Sequence, residues 1–146
     1  MTEQEIKWLF NTMRGINFFQ QFNLDTIDTL IKKIEKYSYP KGTRIIKEGE
    51  PGKAFYIIYK GKVKVWKKKT LFSKINLAEL SGGNFFGEMS LVTDDPCSAN
   101  VTAIEPVEVF VLLKETFRNI LRSNPALLEE IKHIIEKRKF EQEIKK

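Results

Sequence analysis

The chain has 146 residues, a length that normally makes one domain with interior enough to fold without disulfides or metal. Its apolar share of 42% and charged share of 30% are ordinary for a globular protein, and 25 Lys and Arg against 19 Asp and Glu leave +6, a balance that suits nucleic acid, anionic lipid or a phosphorylated small molecule alike. Apolar runs such as Val109–Leu113 fall far short of the ~20 residues of a membrane span, and Met1–Phe10 carries Glu3 and Glu5 with no long apolar core, so it does not read as a secretory signal.

The first third reads as helix. Ile6, Leu9, Phe10 and Met13 recur at the spacing of one helical face, and Gly15 interrupts them. Ile16-Asn17-Phe18-Phe19 forms a short aromatic connector. A second helix is expected from an N-cap at Asn23 or Asp25, with Ile27, Leu30, Ile31 and Ile34 on its apolar face. It is expected to end near Tyr37, because Pro40 and Gly42 follow.

From residue 43 the period changes. Phe55–Tyr59 is a β-branched and aromatic run, and Val63 and Val65 alternate with Lys62 and Lys64, which predicts a strand with one buried and one wet face. Ile75–Leu80 alternates in the same way, and Val101–Ala103 and Val107–Leu113 complete the series. Lys67-Lys68-Lys69 reads as a solvated hairpin tip, with an anionic partner surface as the alternative. Gly49-Glu50-Pro51-Gly52-Lys53-Ala54 is too short for a phosphate-binding loop of the nucleotide-hydrolase kind and reads as a turn.

The last third returns to helix. Glu115–Arg122 is one segment, and Asn124-Pro125 opens another with proline in its first turn. Its apolar stripe is Leu127, Leu128, Ile131, Ile134, Ile135 and Ile144. The expected fold is therefore α+β. It consists of N-terminal helices over 1–36, an antiparallel β-barrel of jelly-roll type over 37–113, and C-terminal helices over 114–146. Closely spaced strands with no long crossover support that class.

The chemistry available is narrow. Cys97 is the only cysteine, which fits a reducing, cytoplasmic compartment, and His133 is the only histidine, so a multi-histidine metal site is impossible. No nucleophile–base pair or metal cluster is visible, and an enzyme is not expected. The most informative segment is Gly82-Gly83-Asn84-Phe85-Phe86-Gly87-Glu88-Met89-Ser90-Leu91, followed by Asp94-Asp95-Pro96-Cys97-Ser98-Ala99-Asn100-Val101. Three glycines precede a short helical piece, and amides at such a start bind anions such as phosphate. Phosphate repels a carboxylate at Glu88, whereas a sugar hydroxyl donates to one. A plain turn between strands accounts for the glycines equally well.

Phe86-Gly87-Glu88-Met89-Ser90-Leu91 resembles the phosphate-binding cassette of cyclic-nucleotide-binding domains, the family of catabolite-activator-type regulators and protein kinase A regulatory subunits. The resemblance extends through Ile16–Phe19, Gly42, Ile45, Glu48-Gly49-Glu50-Pro51-Gly52, Phe55–Ile58 and Gly61-Lys62-Val63 to Pro96, Ala99, Val101, Phe117 and Pro125. It implies a cassette over 83–101 and a pocket for cAMP or cGMP built from Phe86, Gly87, Glu88, Met89, Ser90, Cys97, Ser98 and Ala99. In that reading Glu88 holds the ribose 2′-hydroxyl, Gly87 and the amides of Glu88 and Met89 meet ribose and phosphate, and no further cofactor is needed. Ser98 lies where domains favouring cGMP often carry Ser or Thr. Where the family has an arginine that clamps the cyclic phosphate, this chain has Cys97. Loss of one partner from a buried charged pair costs about 2–5 kcal/mol, or roughly 30- to several-thousand-fold in affinity.

Two functions follow as expectations. One is a stand-alone regulatory module that binds a cyclic nucleotide and signals through its C-terminal helix. The other is a degenerate, non-binding domain that serves protein interaction, as a homodimer through that helix or with another protein. Family regulators carry a helix-turn-helix domain after this helix. About twenty residues follow Pro125, too few for that module, so DNA binding is not expected.

Overall fold

The computed structural model describes residues 1–144, with side chains throughout except those of 134, 135 and 138–144. The stripe positions Ile134, Ile135 and Ile144 therefore lie outside the described residues. The chain divides into two compact units, one of residues 1–33 with 115–146 and one of residues 34–114.

The helical unit begins with α1 (Glu3–Arg14), opened by a capping box in which Thr2 Oγ1 accepts from the Glu5 amide at 3.1 Å and Glu5 Oε1 accepts from the Thr2 amide at 2.9 Å. Leu9 and Met13 are buried as expected, but Ile6 is exposed and Phe10 half-buried. The box draws Glu5 inward, so the buried stripe is narrower than the apolar one. A 3-10 turn (Asn17–Phe19) follows, then α2 (Leu24–Lys33), whose first turn is capped by Asn23 Oδ1 on the Thr26 amide at 2.8 Å. Phe18, Phe19 and Phe22 cluster with Phe117 of α3 (Lys114–Arg122), with Phe22 and Phe117 stacked at 6.1 Å. Asn124 Oδ1 accepts from the Leu127 amide and starts α4 (Pro125–Ile144), on which Leu127 and Ile131 are buried, Leu128 half-buried and His133 exposed.

The second unit holds eight strands: β1 (Glu35–Tyr39), β2 (Arg44–Ile46), β3 (Ala54–Lys60), β4 (Val63–Thr70), β5 (Ser73–Leu80), β6 (Phe85–Phe86), β7 (Asn100–Ala103) and β8 (Val107–Leu113). They form two antiparallel four-stranded sheets, β1-β8-β3-β6 and β2-β7-β4-β5. The expected class is met, but the barrel is not closed: two separate sheets share one core. Ala54 and Ile58 of β3, Val63 of β4, Phe86, Val101 and Ala103 of β7, and Val107, Val109 and Val111 of β8 make that core.

Two expectations fail at sheet edges. Tyr37 does not end a helix. α2 stops at Lys33 and the chain enters β1, which pairs from Glu35↔Val111 to Tyr39↔Val107. Four of its five residues are exposed, so backbone pairing to β8 makes the strand and no buried alternation announces it. β5 forms where expected, but Ile75 and Leu77 are 41% and 51% exposed, because the strand is an edge that only its terminal Leu80 ties into the core. Lys67–Lys69 belong to a hairpin but not to its tip: they lie in β4, with Lys67 and Lys68 paired to Ile75 and Lys74, and the turn falls beyond them at Leu71-Phe72.

Candidate functional site

The first half of the cassette hangs from β3. Tyr56 pairs with Phe86 and Ile57 with Phe85, and the Tyr56 and Phe86 rings stack at 4.8 Å with 13° between their planes. Gly83, at φ +89°, turns the chain into β6, its amide donating to the Ile58 carbonyl at 2.8 Å. Gly87 then takes φ +83°, and a Cβ there would stand 2.8 Å from the Ala54 carbonyl oxygen. Both conformation and space demand glycine. The chain continues into a 3-10 turn, Glu88–Leu91, closed by the Ser90 amide on the Gly87 carbonyl at 3.0 Å. Glu88, Met89 and Ser90 are half-buried and Leu91 is fully buried, anchoring the turn.

The second half is fastened by its backbone. Pro96 forms a bridge with Pro51. The Cys97 amide donates to the Glu50 carbonyl and the Cys97 carbonyl accepts from the Gly49 amide, each at 2.8 Å. Asn100, 2% exposed, accepts from the Glu48 amide at 2.9 Å through Oδ1 and donates to Glu48 Oε1 at 3.2 Å through Nδ2. Gly52 completes the arrangement: a Cβ on it would lie 2.7 Å from that of Ser90. The second half is thus held on the turn of residues 48–52, and the first half, hung from β3, meets the same turn where Gly52 leaves room for Ser90. Glu48 is committed to Asn100 and to the Lys68 amide, which leaves it a structural carboxylate. Among the described residues, the Ser98 and Ala99 amides donate to no protein acceptor, and Ser98 is exposed.

The electrostatics single out a neutral patch. Burial raises the Cys97 thiol above its ordinary value, and Glu50 adds to that shift, while the Cys97 backbone and the Lys114 ammonium oppose it. Tyr56 is pushed up to about 12, first by burial, then by Tyr39 and Cys97. Cys97 is therefore a neutral thiol at physiological pH and not an anionic nucleophile. Lys114 Nζ donates to the Thr93 carbonyl at 2.7 Å and to Asp94 Oδ1 at 2.8 Å, holding the segment between the two halves. Sequence reasoning missed Tyr56, Asn100 and Lys114. Asn100 carried a signal, an amide side chain opening a strand whose next residue is Val101.

The sequence matches the family described as the cyclic nucleotide-binding domain over residues 36–124. The chain belongs to the cyclic nucleotide-binding domain family. Among relatives of this domain, the cyclic AMP receptor protein of Thermus thermophilus is 28% identical over 126 residues, 86% of this chain and 58% of that protein. Human cGMP-dependent protein kinase 2 is 38% identical over 109 residues, 73% of this chain and 14% of the kinase. Two solved structures share the fold. The cAMP-bound PfPKA-R superposes with a TM-score of 0.78 at 26% identity, over 82% of this chain and 43% of that one. The Thermus thermophilus catabolite activator protein gives 0.69 at 26% identity, over 88% and 60%. The chain spans 58% and 14% of the length of these two curated relatives. No described helix is long and apolar enough to cross a membrane. Among the described residues, no cluster of His, Cys, Asp and Glu suits a metal.

Proposed function

We propose that this domain is a regulatory, non-catalytic, cytoplasmic module that binds a cyclic nucleotide weakly and signals through α4. The observation that carries the reading is the pair of open amides at Ser98 and Ala99, in a segment tied through Pro96, Cys97 and Asn100 to residues 48–51, with Gly52 of the same turn packed against Ser90. In this reading those two amides take the cyclic phosphate and Glu88 takes the ribose hydroxyl. Phe86, Gly87, Met89, Ser90 and Cys97 shape the wall. No cofactor beyond the nucleotide is required. Signalling requires that the ligand bind two arrangements of α4 with different affinity.

Cys97 sets the strength. A thiol supplies neither the planar fork nor the permanent charge of an arginine, so the phosphate relies on backbone dipoles. Calorimetric titration with cAMP and with cGMP is the test, with dissociation constants expected to be weak. Cys97→Arg is expected to tighten binding by about 30-fold or more. No heat from either nucleotide at millimolar concentration, in both the native chain and Cys97→Arg, overturns the reading.

The same residue favours a second reading, a domain whose pocket is unused and whose α4 serves a homodimer or another protein partner. Sedimentation velocity separates the two. A dimer indifferent to nucleotide in a chain that binds none supports the second reading.

A further inference from the structure

The β4–β5 hairpin ends in the two most exposed large apolar side chains of the described residues, Leu71 at 90% and Phe72 at 97%. The turn that carries them is built: Thr70 Oγ1 lies 2.9 Å from Ser73 Oγ and accepts from the Phe72 amide at 3.2 Å. Behind the tip stand Lys67, Lys68, Lys69 and Lys74, and among the described residues none of the four enters an ion pair. Lys68 sits directly opposite Lys74 across the ladder, so two ammonium groups share one face of an edge hairpin. Like charges placed so oppose pairing. Lys74 Nζ and the Arg44 guanidinium both rest over the Trp66 ring, at 4.5 and 5.2 Å, which extends the basic face toward β2. The nearby carboxylates are engaged, Glu48 by Asn100 and the Lys68 amide, and Glu79 lies opposite Lys64 further down the ladder.

We propose that the β4–β5 tip docks on an anionic phospholipid surface, with Leu71 and Phe72 entering the interface and Lys67, Lys68, Lys69 and Lys74 facing the headgroups. The pairing of a small apolar wedge with a cationic collar is the reason for choosing a membrane. Neither element alone holds a protein on a bilayer, and the two together give reversible attachment. A nucleic acid satisfies the lysines but gives an exposed Leu-Phe tip no apolar environment. A second copy of the chain covers the apolar tip but brings four more lysines against the first four. The proposal is independent of nucleotide binding at the cassette.

The test is co-sedimentation of the 146-residue chain with vesicles of phosphatidylcholine alone and of phosphatidylcholine with phosphatidylserine. Binding is expected only to the anionic vesicles, and it is expected to weaken at least about ten-fold when salt rises from roughly 0.1 to 0.5 M, as exposed charges become screened. Leu71→Ser with Phe72→Ser removes about ten-fold or more of the affinity, and Lys→Gln at 68, 69 or 74 removes about five-fold each. These positions are exposed, so the variants retain the native melting temperature. Equal binding to neutral vesicles, or to none, overturns the proposal. So does binding that needs the lysines but ignores the Leu71→Ser, Phe72→Ser change and is matched by an oligonucleotide. Self-association abolished by that double change overturns it in favour of a second copy.

Discussion

The turn at 48–52 and the tip at 71–72 are both reversals of the same sheet-forming unit, and they are built on opposite principles. The first sinks its polar groups into partners. Asn100 closes on Glu48 from both ends of its amide, Cys97 exchanges two backbone bonds with Gly49 and Glu50, and Gly52 admits Ser90. The second leaves Leu71 and Phe72 in solvent and, among the described residues, four lysines outside any ion pair. A reversal whose polar groups are enclosed needs each of their partners, because an unmade hydrogen bond away from water is costly. A reversal whose side chains stand in water carries no such constraint. Mutations at the first are expected to disturb folding and pocket together, and mutations at the second neither.

The contrast can be broken by measurement. Gly87→Val is expected to have the largest effect, since the new Cβ meets the Ala54 carbonyl at a φ of +83° that a β-branched residue rarely adopts. A loss of about 2–3 kcal/mol, read as a fall in urea midpoint, is expected. A midpoint within error of the native chain shows that the turn can move. Asn100→Ala comes next, at about 1–3 kcal/mol, because it strands the part-buried Glu48 amide and removes a donor from the carboxylate. Asn100→Asp, which keeps the acceptor but sets a second carboxylate beside Glu48, is expected to recover little of that loss.

Alkaline pH sharpens the same point. Tyr56 ionises near 10.0 when unfolded and at about 12 in the fold, so the folded state resists losing that proton. Its contribution to stability is complete below pH 10 and is lost as pH rises from 10 through 12. The raised Cys97 thiol acts with the same sign, present below the ordinary thiol value and lost above it. Urea midpoints between pH 9 and 11.5 are expected to fall, and to fall less steeply in Tyr56→Phe. An identical slope in that variant assigns the loss elsewhere. At the hairpin, Phe72→Ser is expected to leave the midpoint within about 0.5 kcal/mol, the size typical of surface changes. A larger loss places that ring in an intramolecular contact.

The helices and the central strands were legible from period alone, because each buries a face that repeats at 3.6 or 2 residues. Ile27, Leu30 and Ile31 on α2 and the runs in β3, β4 and β8 are of this kind. β1 was not, since its side chains are wet and its order comes from pairing with β8. Ile6 misled for the converse reason, a capping carboxylate having taken the inward position. At the site, the glycine turn and its family likeness were visible, whereas Tyr56 and Lys114 were not, because Tyr56 meets Phe86 from β3 and Lys114 meets Thr93 and Asp94 from a position about twenty residues further along the chain.

What the residues alone determined is the family and the class of fold, since local period, turn chemistry and motif order are properties of neighbours in the chain. What tertiary structure decided is which groups meet: that Cys97 and Asn100 are tied to the turn at 48–52, that Glu48 is a strut, and that the basic hairpin ends in bare Leu71 and Phe72. The reason is physical. Hydrogen bonds between residues as far apart as Glu48 and Asn100, and the exposure of an edge strand, depend on distances that no run of adjacent residues encodes.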